Sequence, residues 1–116
     1  MNSRALIRLA ALSGALAVMA GAFGAHGVGG KPAEWLRTGG EYEMIHALAA
    51  IVAAQLGAEF AAAWLLGGSI VFAGTLYAMA FGAPHILGAA TPAGGVGMIL
   101  GWLLLAWNGA SKGRKR

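Results

Sequence analysis

Apolar runs of membrane-crossing length constrain this chain more than any other feature. Four runs are present, covering about residues 5–25, 44–59, 62–82 and 92–108. A helix needs roughly 20 predominantly apolar residues to cross the hydrocarbon core of a bilayer. Three runs reach that length, whereas the second is shorter and contains His46 and Gln55. The pattern predicts an all-α fold, a four-helix transmembrane bundle.

The composition favours lipid as the surroundings of the chain and excludes several functions. Hydrophobic residues make up 59% of the 116 residues and charged residues 10%, against about 25% charged residues in ordinary soluble domains. The sequence has no cysteine, which excludes disulfides and thiolate metal sites. Half of the eight basic residues lie in the terminal SKGRKR. A basic segment beside an apolar helix favours contact with anionic lipid, so we expect a lipid bilayer and no nucleic acid as partner.

The charge distribution predicts that both termini are cytoplasmic. Arg4 precedes the first run and Arg8 lies near its start, four basic residues follow the last run, and Lys31 and Arg37 lie in the connection 27–43. Basic residues are enriched on the cytoplasmic side of inner membranes. We therefore expect a single integral domain over 1–116 in the inner (plasma) membrane. The first run exceeds the roughly 7–15 residues of a signal-peptide core, so we expect it to be retained.

Small residues at four-residue spacing predict where the helices pack. Such spacing places residues on one helix face, and small side chains allow backbones in lipid to approach closely. The predicted helix-packing residues are Ala17, Gly21, Ala25, Gly74, Ala78, Gly82, Gly97 and Gly101. The same feature favours packing outside the chain, in a homo-oligomer or a larger membrane complex.

Histidines near the predicted outer ends of the first two helices form the sharpest candidate site. The predicted polar cluster is His26, Tyr42, Glu43 and His46. In one interpretation the rings bond Tyr42, Glu43 or a backbone carbonyl and connect the two helices. Other interpretations are a metal or haem site, proton-coupled action, or a ligand site. The spacing matches no diagnostic ligand motif, so we predict no metal, no cofactor and no catalytic residue.

Four further polar residues fall within the predicted spans: Gln55, Thr75, Tyr77 and Trp102. Thr75 is expected to bond its own helix or a neighbour. The indole N–H of Trp102 needs an acceptor because the bilayer core contains no water, and the other three residues are its candidate partners. The favoured interpretation of Trp102 is plain packing. Glu59 is expected near the cytoplasmic surface, in water.

Five short motifs in order give the chain a family resemblance. They are GAFGAHG at 21–27, EYEMIHALA at 41–49, FAGTLY at 72–77, TPAGG at 91–95 and GW at 101–102. Together they resemble the YgdD/YwdK family of small bacterial inner-membrane proteins (domain of unknown function 423), which is related to animal transmembrane protein 256. The resemblance implies a four-helix inner-membrane protein, supports His26, Tyr42 and His46 as family features, and brings no reaction with it.

The sequence therefore predicts a multi-pass membrane protein that is not an enzyme and serves as a structural or accessory subunit. The alternatives are a small oligomeric transporter and a histidine-based metal- or cofactor-binding protein. Proton-coupled export requires an ionisable group, typically a carboxylate, within the membrane. The first run contains no Asp or Glu, and Glu59 is expected near a surface, so the pattern disfavours export.

Overall fold

Four α-helices form the protein, in a computed structural model that describes the backbone of residues 2–115 and the side chains of residues 2–108. The helices are α1 (Ser3–His26), α2 (Gly30–Gln55), α3 (Glu59–Ala80) and α4 (Thr91–Lys115). A short 3-10 helix, His85–Ala89, lies between α3 and α4. These described residues contain no strand, which confirms the all-α prediction.

The second helix differs most from the prediction. It begins at Gly30 rather than near Met44 and ends at Gln55 rather than at residue 59. The charged residues of 31–43 predicted a connection, but Pro32 lies in the first turn, where proline is compatible with a helix. The 26 residues of α2 extend about 39 Å, enough to cross a bilayer.

Three segments are long and apolar enough, by length and composition, to cross a membrane: Ser3–His26, Glu59–Ala80 and His85–Asn108. Their mean hydropathy lies between 1.6 and 1.8. The first half of α2 carries Lys31, Glu34, Arg37, Glu41 and Glu43, which lower its hydropathy. The basic side chains at 112–116, on which the predicted orientation partly depends, lie outside the described residues.

Two glycines set the ends of the helices around α3. Gly57 has φ 80° in the turn between α2 and α3, and Gly82 has φ 106° just after α3 ends. Glycine adopts this left-handed region without steric cost. The prediction that Gly82 packs within the third helix is therefore wrong: it lies in the turn that follows the helix.

The helices pack as two hairpins side by side. Helix α1 packs along α2, α2 along α3, and α3 along α4, while α1 approaches α3 only sparsely. Alanines fill much of the core, together with Leu6, Leu65 and Leu66. The sparse contact between α1 and α3 leaves a cleft along one side of the molecule.

Glycine allows close backbone approach between α1 and α2. A Cβ added to Gly40 would lie 3.0 Å from the carbonyl oxygen of Ala17 and 3.3 Å from the nitrogen of Gly21. Among the predicted packing residues of α1, Ala17 is buried and Gly21 lies in this contact, but Ala25 is exposed. The prediction for Ala25 is thus wrong within this chain.

The contact between α3 and α4 is closer still and centres on Gly68. A Cβ on Gly68 would lie 2.5 Å from the nitrogen of Met98, and one on Gly101 would lie 2.7 Å from the nitrogen of Leu65. A Cβ added to Gly97 would lie 3.1 Å from the Cα of Gly68. Two predicted residues of α4 therefore lie in the interface, Gly97 against Gly68 and Gly101 against Leu65. The sequence pattern missed Gly68.

The predicted packing face of α3 lies elsewhere. Gly74 is exposed, and nothing lies within 4 Å of the position that its Cβ would occupy. Ala78 is half-buried. The prediction that Gly74 packs against another helix of this chain is wrong, because four-residue spacing does not show which face of a helix meets a neighbour.

Adjacent glycines of α3 provide a test of this packing. We expect Gly68→Ala to lower the free energy of unfolding by about 1–3 kcal/mol, the usual cost of overpacking a close contact. Gly67→Ala is the matched control, since its Cβ would meet open space, and it should leave stability unchanged or raise it by up to about 1 kcal/mol. The measurement is the thermal unfolding midpoint in detergent; equal midpoints for the two variants would contradict the packing.

Candidate functional site

A buried carboxyl connects three helices at the centre of the protein. Glu43, on α2, is 3% exposed. Ser13 Oγ of α1 donates a hydrogen bond of 2.6 Å to Glu43 Oε2, and Tyr77 Oη of α3 donates one of 2.6 Å to Oε1. The two carboxyl oxygens of Glu43 therefore accept hydrogen bonds from two different helices.

The carboxyl lies halfway along the helices that hold it. Glu43 is 13 residues from the start of α2 and 12 from its end, which places it about 18–20 Å from either end. Ser13 is similarly central in α1. The Tyr77 side chain extends toward the N-terminus of its helix, as long side chains on helices do, and so its hydroxyl reaches this depth from a position near the end of α3.

His46 lies one turn beyond Glu43 and connects α2 with α4. Its ring is 5% exposed, Nε2 lies 3.0 Å from Trp102 Nε1, and Nδ1 lies 2.7 Å from the carbonyl oxygen of Tyr42. An indole N–H only donates and a carbonyl oxygen only accepts. The hydrogen bonds therefore assign the neutral ring, with its proton on Nδ1 donating to Tyr42 and Nε2 accepting from Trp102.

Aromatic rings surround this histidine. Tyr42 stacks on His46, with the ring centroids 6.2 Å apart, and lies 4.8 Å from Phe72 of α3. The Tyr42 ring is 44% exposed, and its contribution to the site is the backbone carbonyl and the ring face. Of the partners that the sequence offered for a histidine, His46 uses a backbone carbonyl, that of Tyr42.

The predicted cluster forms only in part, because His26 lies far from it. Helices α1 and α2 are antiparallel, as shown by Ser3 bonding the carbonyl of Ala54 and Gly24 lying against Ala33. By this pairing His26 is level with Lys31, about 22 Å along the helix axis from His46. The prediction that the histidines share one boundary is wrong, since α2 begins some fourteen residues earlier than expected.

The third histidine and two predicted intramembrane residues also lie outside the cluster. His85 packs edge-on against Trp35, with the ring centroids 5.3 Å apart. Thr75 Oγ1 donates to the carbonyl of Phe72 on its own helix, at 3.0 Å, and contacts the hydroxyl of Thr91 at 2.6 Å. Gln55 is exposed at the end of α2, and is not a partner of Trp102.

Glu59 makes a contact that the sequence did not indicate. Ser3 Oγ donates to Glu59 Oε2 at 2.7 Å and lies 3.0 Å from the carbonyl of Ala54. This contact connects the start of α1 with the turn before α3. Glu59 is half-buried at the helix boundary rather than fully solvated.

The position of Glu43 removes the argument that disfavoured proton-coupled export. That argument assumed no carboxyl within the membrane, whereas Glu43 lies midway along α2 and faces the interior. Ionisable groups at such depth normally face a bundle interior and act in binding or proton movement. No group of three or more His, Asp or Glu within the described residues is arranged to hold a metal ion.

Ser13 is the site residue that sequence reasoning missed. It is a lone hydroxyl in an apolar run, and hydroxyls in helices commonly bond their own backbone. The sequence did contain a signal for the polar face of α2 that Ser13 meets. Glu43 and His46 are three residues apart, and this spacing places both on one helix face. That spacing predicts a buried polar face once residues 30–43 are recognised as helix.

The two tyrosines near Glu43 test its hydrogen bonds. We expect Tyr77→Phe to lower the free energy of unfolding by about 1–2 kcal/mol, because it removes one of two donors to a buried carboxyl. Tyr42→Phe is the matched control, since its hydroxyl bonds no other residue that the structure describes. Denaturant unfolding in detergent gives both values, and a Tyr77→Phe variant as stable as the control would contradict the arrangement.

Comparison with known proteins supplies the family. A family model described as "Protein of unknown function (DUF423)" matches residues 20–95. The UPF0382 membrane protein YwdK of Bacillus subtilis (strain 168) is 41% identical over 114 residues, which cover 88% of this chain and 93% of the relative. The UPF0382 inner membrane protein YgdD of Escherichia coli (strain K12) is 35% identical over 116 residues, covering 90% and 88%. No solved structure matches the chain.

These matches confirm the resemblance that the five motifs indicated, and the match to an inner membrane protein agrees with three helices able to cross a bilayer. The chain therefore belongs to the DUF423 (UPF0382) family and is an integral protein of the inner membrane.

Proposed function

We propose that the protein is a non-enzymatic structural subunit that crosses the membrane four times, with both termini cytoplasmic, and packs against a second copy of itself. Its polar core supports a structural role. Within residues 2–108 every buried side-chain nitrogen or oxygen has a hydrogen-bond partner. Glu43 and His46 use their polar atoms to connect α2 with α1, α3 and α4.

The pairing of α1 with α2 supports the fourth crossing. Contacts run from Ser3 with Ala54 at one end to Gly24 with Ala33 at the other. Helix α2 therefore covers the same depth as α1, and α1 is apolar enough to cross. A charged residue is tolerated within a bilayer when it faces the protein interior, which is where Glu43 lies.

One exposed carboxylate carries the proposal of self-association. Glu41 is exposed on the surface of α2. By the pairing of the two helices it lies level with Leu16 of α1, about 15 Å along the axis from the end of α1 at His26. An ionised side chain facing lipid at this depth is costly. This cost supports a protein surface that covers Glu41.

The surface around Glu41 suits a second copy. Glu41 lines a groove of about 660 Å³ between α1 and α2, together with Arg37 and small residues such as Ala17, Gly21 and Gly40. Small residues allow another helix to approach closely. In a two-fold dimer the same surface meets itself. Arg37 lies one helical turn from Glu41, so its long side chain can reach Glu41 of the other copy.

The cysteine-free chain allows a direct test by crosslinking in native membranes. Val18→Cys places a thiol in the groove, and Val96→Cys, on α4, is the matched control because the two valines are 59% and 56% exposed. We expect a homobifunctional thiol reagent to give dimers from Val18→Cys and only monomers from Val96→Cys.

Charge reversal sharpens this experiment. Glu41→Arg in the Val18→Cys chain should reduce the dimer yield by placing like charges together, and adding Arg37→Glu should restore it by re-forming opposite pairs. Equal yields from Val18→Cys and Val96→Cys would contradict self-association, as would a double reversal that fails to restore the dimer. A crosslink from Val18→Cys to a different protein would identify a larger complex instead of a homodimer.

A further inference from the structure

A cleft opens toward lipid between α1 and α3. Its deeper part has a volume of about 270 Å³ and reaches the hydrogen-bonded group of Ser13, Glu43 and Tyr77. A second part of about 460 Å³ extends toward Phe23 and Phe81 at the other end. The two parts share Leu16 and Tyr77 and are therefore adjacent.

The walls of the deeper part are apolar and accessible, whereas its base is polar and closed. Leu12 and Ile70 are 63% and 47% exposed, and Gly74 leaves open space beside them. At the base, Glu43 is the only ionisable carboxyl, and it lies under the hydroxyls of Ser13 and Tyr77. Apolar walls with a few convergent polar groups are typical of small-molecule sites.

The charge at the base of the cleft decides which class of ligand it can bind. No Lys or Arg of the described residues forms an ion pair with Glu43, whose hydrogen-bond partners are two neutral hydroxyls. A carboxylate without a counter-ion is costly in an apolar interior. An anionic ligand such as a fatty acid would add a second negative charge, whereas a basic ligand would supply the missing positive one.

We propose that this cleft binds a lipophilic amine, with the nitrogen on Glu43 and the alkyl chain along the cleft toward Phe23 and Phe81. The ammonium group of the amine forms an ion pair with the Glu43 carboxylate. Ser13 and Tyr77 continue to donate to the carboxylate oxygens. This site is independent of the groove on α1 and α2 proposed for self-association.

The groups facing Glu43 are neutral and leave it as the partner for an ammonium group. Helix α1 contributes Ser13 and α3 contributes Tyr77, both neutral. On α2 itself, His46 has both ring nitrogens engaged, by Tyr42 and by Trp102 of α4. Glu43 is therefore the group that can pair with an ammonium ion entering the cleft.

A hydrophobic carbodiimide tests the site in phosphatidylcholine vesicles containing the full chain. Dicyclohexylcarbodiimide reacts with protonated carboxyls in apolar surroundings: the acid O–H adds across one C=N bond, and the product rearranges to a stable acylurea with the mass of one reagent added. We expect mass spectrometry to locate the adduct on Glu43 and not on Glu59, which lies at a helix boundary. Dodecylamine should slow labelling by about tenfold or more, the effect of one charge-assisted contact, whereas dodecanol should not.

A pair of glycine variants separates cleft binding from a general effect of the amine. Gly74→Leu fills the deeper part of the cleft, and Gly95→Leu places the same side chain in open space on α4. We expect Gly74→Leu to abolish both labelling and protection, and Gly95→Leu to behave as the unaltered chain. The proposal is overturned if Glu43 is not labelled, if dodecanol protects as well as dodecylamine, or if the two variants behave alike.

Discussion

Hydrocarbon offers no hydrogen-bond partner, so each polar group that lies at depth must find one inside the protein. Glu43 is where this constraint acts most strongly, because a buried carboxyl is costly unless its oxygens are bonded. The donors come from Ser13 on α1 and Tyr77 on α3, both at 2.6 Å. The depth and rotation of three helices are thereby set by one side chain of α2. Removing any of the three groups would leave an unsatisfied polar atom in an apolar interior.

The fourth helix is fixed by two different contacts. Glycines at 68, 94, 97 and 101 bring the backbones of α3 and α4 together without intervening side chains. Trp102 donates to His46 and so connects α4 with α2 across α3. In lipid, where apolar side chains gain little by contacting each other rather than acyl chains, close backbone packing and interhelical hydrogen bonds are the main sources of association. The protein uses both, and the alanine-rich core allows both to form.

Hydropathy predicted the all-α fold, all four helices and the approximate position of three of them. It misplaced the start of α2, because the charges between Lys31 and Glu43 have the composition of a loop and only the folded chain shows that Glu43 faces inward. From that error followed the misplaced histidine cluster: His46 was expected at a helix end and lies near the middle. Ser13 and Gly68 carried no signal of their own, since a lone hydroxyl and one glycine among 20 acquire a role only through the neighbour they meet. Glu43 and Tyr77 were identified as polar candidates but in separate groups, because residue spacing does not show which helices are adjacent.

The account depends most on α2 crossing the membrane beside α1, with Glu43 midway. Single cysteines at the exposed positions Lys31 and Gln55, at either end of α2, allow this to be measured with a membrane-impermeant maleimide in sealed vesicles of known orientation. The cysteine-free sequence makes the labelling specific. We predict that the thiol at residue 55 reacts from the cytoplasmic side and the thiol at residue 31 from the opposite side. Labelling of both positions from one side would show that α2 does not cross, and would contradict the proposal that Glu43 lies within the bilayer.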